Sequence, residues 1–291
     1  MQLLDGAAVS AAILEQIKAE TAQRQSEGKR APDLAAILVG DDPASQVYVG
    51  AKVRTCGELG YSSTMIRLDA GISEETLLEE VQKLNENPLV DGILVQLPLP
   101  SHIKADTIIN AIDPRKDVDG FHPVSQGKMV LGQPTLLPAT PYGIILLLEH
   151  YGIRPSGMNC VVIGRSNIVG TPMSILLSRN TEMGNATVTL THSRTKNLAE
   201  ITREADLIIA ALGKPKFLTA DMVKEGAIIV DVGIHSIEDP SRKSGRRLVG
   251  DVDFDAVAPK CSWISPVPKG VGPMTICGLM KNTLQAAKGL S

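Results

Sequence analysis

Tyr48 and Lys52 stand four residues apart in a stretch, Pro43–Leu59, that reads as a helix, so they share one face a turn apart. A lysine at such spacing is ordinarily solvated, and the pair gains chemical meaning from two further residues. Gln96 interrupts the aliphatic run Ile93–Leu97 near the carboxyl end of an expected strand, where open parallel sheets bind ligands. A buried glutamine needs partners, and a lysine is one that it can satisfy and orient. The loop Lys116–Gly120 adds Asp119, a carboxylate able to accept hydrogen bonds from an aminopyrimidine ring. A lysine in a dry pocket has its ammonium form destabilised and its pKa lowered, which readies it for proton transfer. Lys52, Gln96, Tyr48 and Asp119 therefore read as candidates for acid–base chemistry. No metal is expected: the five histidines are scattered, and His192 and His235 read as loop residues.

A second constellation lies at Cys160–Pro172, where a strand, a glycine turn and a helix start follow in order. Gly164 lets the backbone turn off the strand, and Gly170 lets a helix N-terminus approach a diphosphate, whose charge the amides and helix dipole stabilise. Taken alone, the spacing is an ordinary glycine turn; the surrounding alternation of strands and helices turns it into a dinucleotide site. The next strand, ATVTLTH, runs into Ser193 and Arg194 with no acid at its end. An NAD site places Asp or Glu there for the ribose hydroxyls. A hydroxyl and a guanidinium, with Arg165 beside the glycine turn, suit a 2′-phosphate instead. NADP is the expected cofactor, and NAD is not excluded.

The elements that must hold these residues form an α/β protein. Aromatic residues are only 3% of the 291, so the core rests on aliphatic side chains, as in helices layered on parallel strands. Strands are expected at Leu34–Val39, Thr64–Leu68 and Ile93–Leu97, with a helix after Ser73 whose inner face carries Leu77, Leu78, Val81 and Leu84. Residues 113–140 read as a long functional loop with short strands, followed by a helix with Thr140 as cap and Pro141 in its first turn. From Asn159 the alternation restarts with strands at Cys160–Ile163, Ala186–Leu190, Leu207–Ala210 and Ala227–Val230. The stretch Met1–Glu20 reads as a first helix, and Thr275–Lys288 as a last one that returns to the first lobe. Two lobes follow: residues 1–139 with 275–291 as an N-terminal catalytic domain on a parallel sheet, and 140–274 as a Rossmann-type NADP-binding domain.

A net charge of −3 gives no general attraction to nucleic acid or an anionic membrane. The longest apolar run is too short to cross a bilayer. Four cysteines without a CxxC pair, and no basic leader at the N-terminus, fit a reduced cytoplasmic setting.

With these residues assembled, the chain resembles the bifunctional methylenetetrahydrofolate dehydrogenase/methenyltetrahydrofolate cyclohydrolase family. The motifs are VGDDPAS-x-x-YV-x-x-K at 39–52, GILVQLPLP at 92–100, KDVDGF at 116–121, ATPYG at 139–143, GRSNIVGTP at 164–172, ATVTLTHSRT at 186–195, GDVDF at 250–254 and PVPKGVGPMT at 266–275. The resemblance implies oxidation of methylenetetrahydrofolate with NADP and hydrolysis of the methenyl product to 10-formyltetrahydrofolate. It implies Lys52 as the acid–base of the hydrolase step, Gln96 as its orienting partner, Tyr48 stacked on the folate ring and Asp119 anchoring the pterin. Leu97, Gly272 and Pro273 would border the substrate. Arg165 and Ser193 would hold the 2′-phosphate, with Ser166, Ile168, Gly233, Ile234 and Thr275 near the cofactor. A homodimer is implied as well.

Three departures stand out. Ala139 replaces a cysteine, and Lys269 replaces the first glycine of PVPGGVGPMT, forcing a side chain into a backbone angle that glycine adopts freely. Thr181–Asn185 reads as an insertion that lengthens the path from Gly164 to Ser193 beyond the ~20 residues typical of the fingerprint, and Ser241–Arg247 as a basic loop. A dehydrogenase alone, or a non-catalytic NADP-binding scaffold, are the rival readings; the joint presence of Tyr48, Lys52, Gln96 and Asp119 counts against both.

Overall fold

The computed structural model describes residues 1–242 and 245–289; Lys243 and Ser244 of the expected basic loop lie outside them. In chain order the elements are β1 (Gln2–Leu3), α1 (Gly6–Ser26), β2 (Asp33–Val39), α2 (Pro43–Leu59), β3 (Ser62–Leu68), α3 (Glu74–Glu86), β4 (Gly92–Val95), α4 (Ala105–Ala111), α5 (Pro123–Val130) and α6 (Ala139–His150). There follow β5 (Asn159–Ile163), α7 (Gly170–Ser178), β6 (Thr187–Thr191), α8 (Leu198–Arg203), β7 (Leu207–Ala210), β8 (Ile228–Asp231), β9 (His235–Glu238), β10 (Arg246–Val249), α9 (Phe254–Val257), β11 (Trp263–Ile264) and α10 (Val271–Ala287).

Two compact units emerge: Ala11–Ala139 with Ile276–Ser291, and Met1–Ser10 with Thr140–Thr275. In the first, three parallel strands lie in the order β3-β2-β4. Beyond Asp33 the central strand is apolar, because both of its faces are covered. Leu34, Ala36 and Leu38 face a core completed by Val49 and Cys56 of α2 and by Leu279 and Met280 of α10. Ala35, Ile37 and Val39 face Leu77, Val81 and Leu84 of α3, as the period of that helix predicts. Ser73 caps α3 by accepting from Thr76 N at 3.1 Å.

The second unit is a six-stranded parallel sheet in the order β1-β11-β8-β7-β5-β6. The chain leaves β5 outward to β6, then crosses back to β7 on the other side, creating a topological switch point between β5 and β7. A two-stranded antiparallel hairpin, β9–β10, projects separately.

The structure corrects three expectations. Residues 1–10 group with the nucleotide-type unit, because β1 adds to the sheet edge at β11 (Gln2 opposite Trp263, Leu3 opposite Ile264); helix α1 accordingly starts only at Gly6. The expected loop over 113–140 contains α5, opened by His122 Nδ1 accepting from Val124 N and by Pro123 in the first turn. Helix α6 begins at Ala139, so Thr140 lies inside it; its hydroxyl bonds the Thr275 hydroxyl at 2.9 Å instead of capping. All four cysteines are free and buried. Burial pushes the thiols of Cys56, Cys160 and Cys277 up to about 12 and that of Cys261 to about 11.

Candidate active site and nucleotide site

Lys52 sits in the third turn of α2, a helix held at its start by Asp42, whose carboxylate accepts from Ser45 N at 2.8 Å. The Lys52 side chain is only 7% exposed. Its Nζ donates to Gln96 Oε1 at 3.1 Å. Gln96 follows β4 directly, and its backbone N donates to Ile37 O at 2.9 Å, extending the β2–β4 ladder by one bond. Its other side-chain group, Nε2, donates to Leu97 O at 2.6 Å, which fixes the amide so that Oε1 is the end turned to the lysine. The pair thus lies at the carboxyl end of the small sheet, where β3 and β4 diverge on either side of β2. Tyr48 lies one turn before Lys52 and is half-exposed, with desolvation raising its phenol pKa.

Asp119 belongs to the same unit. Desolvation pushes its carboxyl upward while the Lys52 ammonium pulls it down. The loop carrying it is pinned from two sides. Asn282 of α10 donates through Nδ2 to Val118 O at 2.8 Å and to Leu137 O at 2.7 Å. Asp117, buried at 2% exposure, accepts from His122 N at 2.7 Å and faces the Gly120 and Phe121 amides. Burial raises the Asp117 carboxyl to about 7 against those hydrogen bonds.

In the other unit, Gly164 ends β5 at φ 109°. A Cβ there would lie 2.1 Å from Ala211 O, at the end of β7, so only glycine fits the switch point. A Cβ on Gly170 would lie 2.0 Å from Gly164 O. The two glycines close a tight turn that leads into the first turn of α7, where Thr171 N donates to Ser166 O at 3.0 Å. Ser166, expected beside the cofactor, uses its hydroxyl to cap that helix, accepting from Val169 N at 3.2 Å and Gly170 N at 3.4 Å. Arg165, Ile168, Ser193 and Arg194 are exposed, and neither guanidinium makes an ion pair among the described residues. The Arg194 backbone N donates to His192 Nδ1, which shapes the turn after β6. No acid stands at that strand end. The Thr181–Asn185 segment is a compact turn, with Gly184 N donating to Thr181 O and Asn185 N to Arg179 O, both at 3.0 Å; it loops out between α7 and β6. The glycine turn and the acid-free end of β6 are compatible with a phosphorylated dinucleotide. Gly272, Pro273 and Thr275 lie in the first turns of α10, in the nucleotide-type unit. Just before them Lys269 holds φ 84°.

Three residues escaped sequence reasoning: Asp117, Asp231 and Asp251. The usable signal was the string Asp-Val-Asp, which occurs at 117–119 and again at 251–253. In each string the first carboxylate is buried and accepts backbone amides. His235, read as a loop residue, begins β9 and pairs with Asp251.

Comparison with known proteins agrees with both halves of this geometry. Residues 4–119 match the catalytic domain of tetrahydrofolate dehydrogenase/cyclohydrolase, and residues 138–290 match its NAD(P)-binding domain. The bifunctional protein FolD of Cytophaga hutchinsonii is 59% identical over 287 residues, covering 99% of both chains. The crystal structure of the bifunctional enzyme FolD, methylenetetrahydrofolate dehydrogenase/cyclohydrolase, from Campylobacter jejuni superposes with a TM-score of 0.93 at 49% identity, covering 99% of each chain. The Trypanosoma brucei N5,N10-methylenetetrahydrofolate dehydrogenase-cyclohydrolase, solved with NADP cofactor and inhibitor, gives a TM-score of 0.91 at 37% identity over 98% of this chain and 96% of that one. With both family models matched in order along nearly its whole length, the chain belongs to the tetrahydrofolate dehydrogenase/cyclohydrolase family.

Proposed function

We propose that this chain oxidises 5,10-methylenetetrahydrofolate to 5,10-methenyltetrahydrofolate with NADP, and hydrolyses that product to 10-formyltetrahydrofolate. The observation that carries the reading is the buried Lys52 Nζ held 3.1 Å from Gln96 Oε1. A scaffold would have no use for an oriented, desolvated ammonium, and a dehydrogenase alone would have little.

In the hydrolysis, water adds to the methenyl carbon, the bond from that carbon to N5 breaks, and the formyl group stays on N10. Both protons of the water must leave its oxygen: one is released, since the methenyl substrate is a cation, and one must reach N5. Lys52 Nζ is the group that holds and moves that proton, and Gln96 fixes its direction by accepting from it. Tyr48 stacks on the folate ring, Asp119 accepts from the pterin, and Leu97 borders the substrate. NADP, when bound, supplies the hydride acceptor. Gly164 and Gly170 admit its diphosphate to the start of α7. Arg165, Ser193 and Arg194 hold the 2′-phosphate, with Ser166, Ile168, Gly233, Ile234 and Thr275 around it. We further propose a homodimer in the cytoplasm; no helix among the described residues is long and apolar enough to cross a membrane.

The test uses the purified chain. Methylenetetrahydrofolate with NADP should yield reduced cofactor, faster than with NAD, and methenyltetrahydrofolate should lose its absorbance faster than in buffer. Lys52→Met should cut hydrolysis by about a hundredfold or more, the scale of one lost acid–base group. Near-wild-type hydrolysis by that variant, with an unchanged melting temperature, would remove Lys52 from its role.

A further inference from the structure

Two segments of the nucleotide-type unit meet at one buried carboxylate, that of Asp251, which is 0% exposed, and a second buried aspartate, Asp231, ties in two more. The Asp251 Oδ2 accepts from Leu212 N at 2.8 Å and Gly213 N at 2.9 Å, the first residues beyond β7 and Ala211. Its Oδ1 accepts from His235 Nε2 at 2.7 Å, at the end of the loop that leaves β8. Its backbone N donates to Asp231 Oδ1 at 2.8 Å, and the same oxygen accepts from Gly233 N at 3.0 Å. Asp231 Oδ2 takes Val252 N at 3.0 Å, and Asp231 N donates to Ser265 Oγ at 2.7 Å. The packing admits no side chain at the neighbouring glycines. A Cβ on Gly233 would lie 2.4 Å from Asp251 Oδ1, and one on Gly250 would lie 1.8 Å from Asp231 Oδ2.

The place of this knot gives it a consequence. Leu212–Gly213 and Val232–Ile234 are the loops at the carboxyl ends of adjacent strands β7 and β8, and Ala211 O is the atom against which Gly164 is packed. Open parallel sheets bind their ligands at these ends. Loops ordinarily wander there; here the amides of Leu212 and Gly213 are tied to the Asp251 carboxylate and the amide of Gly233 to that of Asp231, and bonds to an ionised carboxylate are about twice as strong as neutral ones.

We infer that Asp251 is a positioning residue for the nicotinamide cofactor, fixing the loop Leu212–Gly213 through two backbone amides and the loop that leaves β8 through the His235 ring at its end. The inference rests on the proposed NADP reading of this unit. Asp251 acts through these segments; in Asp251→Asn the acceptor loses its charge, and the side chain keeps the Leu212 and Gly213 bonds only by turning its NH2 group to His235, whose ring must then take the other tautomer and accept at Nε2.

The experiment measures NADP binding to the intact chain by calorimetric titration, together with KM and kcat for cofactor reduction and the rate of methenyltetrahydrofolate hydrolysis. Asp251→Asn should weaken NADP binding and raise its KM by about tenfold or more, while hydrolysis, whose Lys52 and Gln96 belong to the other unit, stays within about twofold of wild type. His235→Ala should weaken NADP binding severalfold, and His235→Gln, which keeps a donor for Oδ1, should restore most of it. Unchanged NADP affinity in Asp251→Asn and His235→Ala would overturn the inference. So would a parallel fall of both activities in His235→Ala with no rescue by glutamine, because the knot would then be a stability element only. Wild-type protein that binds no NADP would instead defeat the cofactor reading on which the inference stands.

Discussion

A single torsion distinguishes Lys269 from its neighbours. At φ 84° it occupies a backbone region that costs an L-residue about 1–2 kcal/mol, and its carbonyl accepts from Ala7 N at 2.9 Å at the start of α1. The side chain itself is exposed, so little packing offsets the strain. Lys269→Gly should therefore stabilise the chain, by roughly 0.5–1 kcal/mol after the added freedom of glycine in the unfolded state is subtracted. Urea unfolding of the two proteins measures this; a variant less stable than wild type would show that the lysine stem contributes contacts larger than the strain. Other single residues are legible from type and spacing alone. Lys52 and Gln96 were, because a polar residue inside an aliphatic strand and a lysine at helical spacing each need a partner. Asp117 and Asp251 were not. An aspartate in a Pro- and Gly-rich loop reads as solvated, and only the folded backbone gathers amides around it.

At the scale of the element, the loop from Asp117 to His122 depends on the protonation state of its first carboxylate. Burial places the folded pKa of Asp117 near 7, far above the usual carboxylate value of about 4. Between those values the folded chain keeps a proton that the unfolded chain has released. The folded state is therefore favoured at the acid end of the window, and that contribution is lost as pH rises toward 7. The stability difference between wild type and Asp117→Asn should fall as pH goes from 5 to 8, by at most ~1.4 kcal/mol per pH unit. A difference that does not change with pH would show that Asp117 titrates normally. The longer elements were readable before folding because α3 and β2 carry a full period of apolar residues. The two-residue strands β1 and β11 were not, since each exists only through its pairing. Helix α5 hid in a polar stretch despite carrying a cap and a first-turn proline.

At the scale of the molecule, the fold class and the alternation of strands and helices followed from aliphatic runs broken by turn residues, whereas the assignment of residues 1–10 did not. Nothing local in Met1–Ser10 says that it belongs to a sheet whose other strands begin more than a hundred residues later. The same arrangement distributes the cysteines evenly: Cys56 and Cys277 lie in one unit, Cys160 and Cys261 in the other. Thiolate is the form that alkylating reagents attack, and all four thiols are held protonated and out of reach. Each pair is then a stopwatch for the opening of its own unit. Under mild denaturant, iodoacetamide should leave molecules with no adducts, with two and with four, and peptide mapping should find the two-adduct form labelled on Cys56 with Cys277 or on Cys160 with Cys261. Adducts scattered singly in native buffer would mean that local breathing, not the unlocking of a whole unit, exposes sulfur.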